Sequence, residues 1–566
     1  MLTSMLTAWL FFVPIFWDLV GGVQSYPLAL KQVFLENNSP EFFIGGGIDQ
    51  LGTIWVFTMA KGIFMGEHGS ILDQIYAPFG FDLGANTGFG WADALLSLPI
   101  ILLLGTPGFY NAHVFITLTL TMFGMQLLFR MLKAPRLIAF GLGLCGLMTP
   151  FVIQEIYDGR PTQVHWFFHS VFLCAVVQSR SPHWKRWALI GGLSLSAACL
   201  TYWFGGAAIG FCGAVVLIAQ WIIRPNFRQM AFGLLLSVIT LSVSLLITAR
   251  VSIPMLQGER NNLYYQLDRS PLTEIDLEVF TIPIQSMTHL SSLEDFYTLL
   301  KTLPVEGHFW WLAPLLIIPL NWRKSIPWLI GFIIAVGIPL TPALHWKGGM
   351  LPTGHALFHA VFPPLPRCEF PIRMVVAPLL LMLSGLACLA GRLHFRIHSP
   401  IIKGLFKVLL GFMLIGLGLE GRPQSGTVGN FQIDGDLVMA TRRTPGGVID
   451  VPLERSQNTY VQQIYHKQPI LGGPGMNRVR PDGHEEYVNS SAFLRGLEAL
   501  AVGENPEPLT DKSVRRIWND GFRWIVVHTN LSRSDQSAFE EYIGSSGKLD
   551  MRTRQLIIPI PKPNTP

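Results

Sequence analysis

Apolar runs of about 20 residues, the length that crosses a hydrocarbon core, recur from the start of the chain to about position 420. Polar turns separate them. The pattern predicts spans near 5–23, 110–130, 137–154, 163–179, 186–203, 206–223, 230–252, 308–320, 326–345, 371–391 and 402–420. The stretch 92–104 is also apolar, but Gly105-Thr106-Pro107-Gly108 cuts it off from the next run. It reads as a half-helix lying at the outer interface. The first run begins almost at Met1, with no basic leader and no small-x-small cleavage site, and is expected to be a retained helix and not a signal peptide.

Beyond 420 the periodicity changes. Strand patterns appear at Gly447–Leu453, Trp524–Thr529 and Gln555–Ile560, with a helical pattern over Ser534–Ile543. The expected architecture is a polytopic α-helical membrane protein of about 11 transmembrane helices (1–420) followed by a small C-terminal α/β soluble domain (421–566). Composition points the same way: 14% of residues are charged and mean hydropathy is +0.40, where soluble domains carry roughly 25% charged residues.

Lys and Arg fix an orientation. Arg130, Lys133 and Arg136 form one short basic loop, and Arg180, Lys185 and Arg186 another. Arg224 and Arg228, Arg323 and Lys324, then Arg392, Arg396 and Lys403 follow. They alternate regularly with acidic or very short loops only if 92–104 does not cross. By the positive-inside rule the N-terminus is cytoplasmic, and the C-terminal domain is periplasmic or extracellular. Three long loops, 24–109, 253–307 and 346–370, share its face. The net charge of +5 follows from the same rule and implies no nucleic-acid partner. The inner face shows no Gly-rich phosphate loop. Six cysteines form no CxxC pair, so neither a zinc site nor a disulfide framework is implied. No internal repeat and no inverted pair of broken helices is seen, which argues against a solenoid and a secondary transporter.

Candidate chemistry lies on the outer face. Asp49 follows Gly45-Gly46-Gly47-Ile48, where the backbone can bend and let a substrate approach. A carboxylate there could act as general base toward an acceptor hydroxyl, or simply cap the helix after it. Asp82, in Phe81-Asp82-Leu83, and Asp93, beside Trp91, are further acids in the same loop. Glu155, Asp158, Arg160 and Gln163 crowd the turn between the third and fourth spans. Ionisable groups at span ends are functional candidates, with a solvated interfacial turn as the alternative. His355, His359, Arg367 and Arg373 sit in the third long loop among prolines. Arg suits a lipid-linked phosphate, or it snorkels to headgroups. The two histidines lack an HExxH frame, so no metal site is assigned. Tyr202 and Trp203 belong to an interfacial aromatic belt or stack on sugar rings.

These features resemble the bacterial GT-C-fold polytopic membrane glycosyltransferases. The likeness rests on Gly47-Ile48-Asp49 with Trp55 six residues on, and on Ala77-Pro78-Phe79-Gly80 through Leu95-Leu96 to Phe109-Tyr110-Asn111. It rests also on Gly159-Arg160-Pro161-Thr162-Gln163 with the later Thr201-Tyr202-Trp203, and on Pro364 to Arg373. Val448–Leu453, Pro469–Gly473 and Gly521–His528 are similar to that family's terminal domain. The resemblance implies an inverting transfer from a polyprenyl-phosphate sugar at the outer leaflet to a glycan, lipid or protein acceptor. Asp49 would be the general base, with Asp82 or Asp93 as a second carboxylate. Arg367, Arg373 and Arg160 would hold donor phosphate, and Glu155, Asp158, Gln163, His355, His359, Tyr202 and Trp203 would contact substrate. The resemblance fixes no cofactor, and a divalent cation stays an open alternative. Where many members carry an earlier acid this chain has Gly46. That departure keeps two rivals in play: a catalytically silent lipid-linked-sugar-binding or envelope assembly protein, and a lipid or sugar transporter.

Overall fold

A computed structural model describes residues 43–44, 49–69, 71–83, 90–105, 108–256, 322–338, 343–346, 349–352, 358, 374–420, 428–429, 434–453, 458–472, 481, 483–528, 533–550 and 555–563. The expected spans 5–23 and 308–320, the loop 253–307 apart from its first four residues, and the site candidates Gly46, His355, His359, Arg367 and Arg373 lie outside them.

A short strand β1 (Phe43–Ile44) precedes helix α1 (Gln50–Met65) and a two-stranded ribbon of β2 (Ile71–Leu72) and β3 (Phe81–Asp82). The bundle then runs through α2 (Trp91–Leu104), α3 (Phe109–Met131), α4 (Arg136–Leu147) and α5 (Pro150–Tyr157). After a 3-10 turn at Pro161–Val164 come α6 (Phe167–Val177), α7 (Trp184–Thr201), α8 (Trp203–Ile223), α9 (Phe227–Leu256) and α10 (Trp322–Gly337). A hairpin of β4 (Ala343–Trp346) and β5 (Gly349–Pro352) follows, then α11 (Val376–Arg396) and α12 (Pro400–Glu420).

Among the described residues four helices, α3, α8, α9 and α11, are long and apolar enough to cross a membrane, or five if the bent pair α4–α5 is one span. In α11, 72% of the span window is buried, against 17% in α9. Among the described helices α11 is therefore the central member and α9 a peripheral one. Where the pattern predicts one span at 137–154, the chain forms two helices bent by 50°. The break has a local cause. Thr149 Oγ1 accepts from the Val152 N–H at 3.4 Å, and Pro150 has no N–H to continue α4 but suits the first turn of a new helix. The junction of α7 and α8 is a single extended residue, Tyr202 (φ −148°, ψ 100°). Helix α8 therefore starts three residues before the expected span. Close approach elsewhere uses small residues: a Cβ on Gly141 of α4 would lie 2.7 Å from Leu414 Cβ of α12.

The C-terminal part opens with β6 (Val428–Gly429), α13 (Gly435–Arg443), β7 (Gly447–Val451) and α14 (Asn458–His466). It continues through α15 (His484–Ser490), α16 (Ala492–Ala501), α17 (Asp511–Asn519), β8 (Phe522–Val527), α18 (Arg533–Ile543), β9 (Lys548–Asp550) and β10 (Gln555–Pro559). Asp434 caps α13 by accepting from the Leu437 N–H at 2.8 Å. The sheet order is β7-β8-β10-β9, with β7 parallel to β8 and the other pairs antiparallel. All five residues of β7 are buried, as expected of a strand covered on both faces. Phe493, Leu494 and Leu497 of α16 share one core with Ile449, Val451, Ile525 and Val527.

The first long loop is sewn into this domain. Strand β1 pairs antiparallel with β6. Tyr76 N–H donates to Gly472 C=O at 2.9 Å, Ala77 N–H to Ile470 C=O at 3.0 Å, and Ile470 N–H to Gln74 C=O at 2.8 Å. Trp55, fully buried in α1, donates Nε1–H to Gln463 Oε1 at 3.1 Å, and Gln463 Nε2 donates to Gln74 Oε1 at 2.8 Å.

His466 closes α14, where its Nδ1 accepts from the Gln468 N–H at 3.0 Å. Burial lowers its pKa from 6.5 to about 4, against a weaker upward pull from Asp450. Unfolded chains therefore bind this proton first as pH falls. The stabilisation is whole above pH 6.5 and drains away as pH falls through about 4. His466→Gln is expected to flatten the fall of the thermal midpoint across that window. An unchanged slope would remove His466 as its source.

Candidate active site

The loop after α5 presses on the start of α1. Gly159 adopts φ 83°, and a Cβ there would sit 2.2 Å from Gln50 Cα. Asp49 N–H donates to Asp158 C=O at 3.0 Å, and Thr53 Oγ1 donates to Gly159 C=O at 2.7 Å. A side chain at 159 meets both a left-handed backbone and a backbone clash. Gly159→Ala is expected to cost about 1–3 kcal/mol, the range for a strained non-glycine residue, or more if the loop must part from α1. A thermal midpoint equal to the parent's would show that this contact is not needed.

This docking gathers three of the predicted acids around the guanidinium of a fourth predicted residue, Arg160. Arg160 Nε donates to Asp49 Oδ2, and Nη1 lies 3.0 Å from Asp158 Oδ2 and 3.3 Å from Glu155 Oε2. Burial alone would lower the Arg160 pKa, but Glu155, Asp49 and Asp158 together raise it above its ordinary value. One cation thus faces three carboxylates. The Asp49 side chain, 42% exposed, makes no hydrogen bond to the helix that follows it. Its N-terminal position is therefore not used for capping. Arg160, expected to hold donor phosphate, has Nε and Nη1 committed to carboxylates. Glu155 and Asp158 both meet Nη1, while Asp49 meets Nε. Among the described residues no group of His, Cys, Asp or Glu side chains could hold a metal ion.

Asp93 lies elsewhere. It is fully buried in the first turn of α2, and its Oδ1 is bonded to His165 Nδ1 at the end of the 3-10 turn. His113 of α3 and His169 of α6 lie within electrostatic reach of both side chains. Gly90 lets α2 approach: a Cβ there would meet Thr201 O at 3.2 Å and Thr162 Cγ2 at 3.3 Å. Gly205 does the same beside Tyr202 and His169, at 3.2 and 3.3 Å. Tyr202 therefore borders this histidine cluster. Trp203 packs on Phe204, with ring centroids 5.1 Å apart, and buried Gln163 accepts at its carbonyl from Trp166 Nε1 at 2.8 Å. Asp82 is in β3, paired with Ile71 in the ribbon. Gln50, next to Asp49, lies beside the buried Tyr110 of α3, with His113 one turn further along that helix.

Sequence reasoning missed His113, His165 and His169. The available signal was the four-residue spacing of His165 and His169 at a helix start, which puts both on one face. Gln74 and Gln463 carried no local signal, because the chain separates them by 389 positions.

No family model matches the chain, and no curated protein matches it. Solved structures do. The Archaeoglobus fulgidus oligosaccharyltransferase crystallised with Zn and sulfate is 13% identical over 93% of this chain and 67% of its own, with a TM-score of 0.51. ArnT from Cupriavidus metallidurans bound to undecaprenyl phosphate is 14% identical over 94% of this chain and 97% of its own, at 0.50. The arabinofuranosyltransferase AftD from mycobacteria is 10% identical and aligns with 99% of this chain, at 0.55. This chain spans only 40% of that protein's length. The likeness shows the fold: this is an integral membrane protein of the GT-C architecture.

Proposed function

We propose that the protein is a membrane glycosyltransferase that moves a sugar from a polyprenyl-phosphate donor to an acceptor hydroxyl on the outer face of the membrane. The observation that carries this reading is Asp49, a partly exposed carboxylate held by Arg160 at a loop–helix junction of a GT-C fold. Among the described residues only its Oδ2 is hydrogen-bonded, which leaves Oδ1 for the acceptor proton. The acceptor oxygen attacks the anomeric carbon, the carbon–oxygen bond to phosphate breaks, and polyprenyl phosphate leaves with the electron pair. The hydroxyl proton passes to Asp49. Phosphate is a fair leaving group, so a general acid is less necessary than in glycoside hydrolysis. Arg367 and Arg373 are assigned to the donor phosphate, and Arg160 to positioning Asp49. Because Gly46 stands where many such enzymes carry an acid, the competing reading is a silent binder of lipid-linked sugar.

The first experiment is mass spectrometry of lipids that co-purify with the gently solubilised chain, before and after adding a polyprenyl-phosphate sugar. A retained polyprenyl phosphate supports the donor site. Bulk phospholipid alone, even after the addition, overturns it. Acceptor-dependent release of polyprenyl phosphate then separates the enzyme from the binder.

A further inference from the structure

The end of the bundle remote from Asp49 holds a second concave site. Helices α3 and α8 start near the Asp93 and Tyr202 cluster and finish at this other end, so their 23 and 21 residues, at about 1.5 Å rise each, set the two sites roughly a membrane thickness apart. A cavity of about 500 Å³ opens there between the ends of α3, α6, α8 and α11 and the side of α10. Among the described residues five cations line it, namely Lys133, Arg180, Arg224, Arg392 and Arg396, and no carboxylate does.

The positive-inside rule explains basic residues in loops. It does not explain why they converge on one hollow. Arg180 is built into the wall: its Nη2 donates to the Gln220 and Arg224 carbonyls at 2.6 and 2.8 Å, and its Nε to Gln229 Oε1 at 2.9 Å. It thereby satisfies last-turn carbonyls of α8, a favourable place for a cation. Partial burial and then the neighbouring charge of Arg224 lower its pKa, so an anion between these two cations would relieve their repulsion. Gln229 also lines an apolar groove of about 570 Å³ along α7, α8 and α9, walled by Leu217, Trp221, Met230 and Leu241. Arg180 of the charged hollow and Gln229 of the apolar groove are thus joined by a hydrogen bond.

We infer that this cavity binds the phosphate headgroup of an anionic phospholipid, with an acyl chain in the adjoining groove. Basic pockets between helices at a membrane face suit such headgroups. The site is separate from the proposed donor site and lies in the opposite leaflet.

The test is native mass spectrometry of the full chain in micelles supplied with phosphatidylglycerol, phosphatidylcholine or inorganic phosphate. The parent is expected to retain phosphatidylglycerol over phosphatidylcholine. The double variant Arg224→Gln/Arg396→Gln removes two exposed cations and leaves the Arg180 network in place. It is expected to weaken that preference about 30-fold, at the usual contribution per basic residue near a charged lipid. Should it fail to fold, Lys133→Gln serves, with a smaller loss expected. Equal retention of the two lipids by the parent, or an undiminished preference in the folded variant, would overturn the inference. So would full displacement of phosphatidylglycerol by inorganic phosphate, which would make this a site for a free anion.

Discussion

Asp49→Asn is expected to slow release of polyprenyl phosphate by about 100- to 10,000-fold, the usual contribution of a general base. The thermal midpoint should hardly move. The carboxylate is not a helix cap, it is 42% exposed, and an asparagine oxygen can still accept from Arg160 Nε. Arg160 keeps Asp158 and Glu155 as ion-pair partners, so no buried cation is stranded. Loss of turnover should therefore come without loss of donor-lipid binding. Arg160→Gln should behave differently, because it removes the guanidinium from Glu155, only 6% exposed, and both midpoint and turnover should fall. Unchanged turnover in Asp49→Asn would remove Asp49 from the chemistry and return the role to another acid. A folded parent that binds donor lipid but never releases product would favour the silent binder.

The second large effect is expected at Asp93, in the fold. Its side chain is fully buried and paired with His165, itself 1% exposed. Breaking a buried ionic or charge-assisted pair from one side typically costs about 3–5 kcal/mol, because the remaining partner loses both water and its counter-group. Asp93→Ala should lower the unfolding midpoint sharply, while Asp93→Asn, which keeps a hydrogen-bond acceptor for His165, should lower it less and retain transfer. If Asp93→Asn abolished transfer at an unchanged midpoint, Asp93 would be acting as the second carboxylate. An Asp93→Ala midpoint equal to the parent's would show that the pair contributes nothing.

The membrane class was legible because its signal is local: a run of apolar residues is either long enough or not. The strands at Gly447, Phe522 and Gln555 were legible for the same reason, through short β-branched and aromatic runs. The 50° break at Thr149–Pro150 was written in the sequence as a capping residue followed by proline, yet hydropathy averages across it. The grouping of Asp158 and Glu155 with Arg160 follows from proximity along the chain, but their meeting with Asp49, 111 positions from Arg160, depends on how α1 docks. Asp93 was chosen as an acid in an outer loop. Its burial beside His165 depends on α2 packing against α3 and α7, which no window of residues encodes. Lys and Arg counts gave basic loops, while the hollow they line needs the ends of four helices in register.

The seam between the first long loop and the C-terminal domain also sets an order of events during synthesis. Trp55 leaves the ribosome 408 residues before its partner Gln463, an interval of about 20–80 s at ordinary translation rates. Throughout that time Tyr76 and Ala77 have no Gly472 or Ile470 carbonyl to meet, and β1 has no β6. The loop that presents Asp49 is therefore finished by a segment made long after it. A nascent chain whose earlier helices are already in place holds an incomplete site, so the transfer proposed above begins only when the segment around Gln463 has been made and docked on α1.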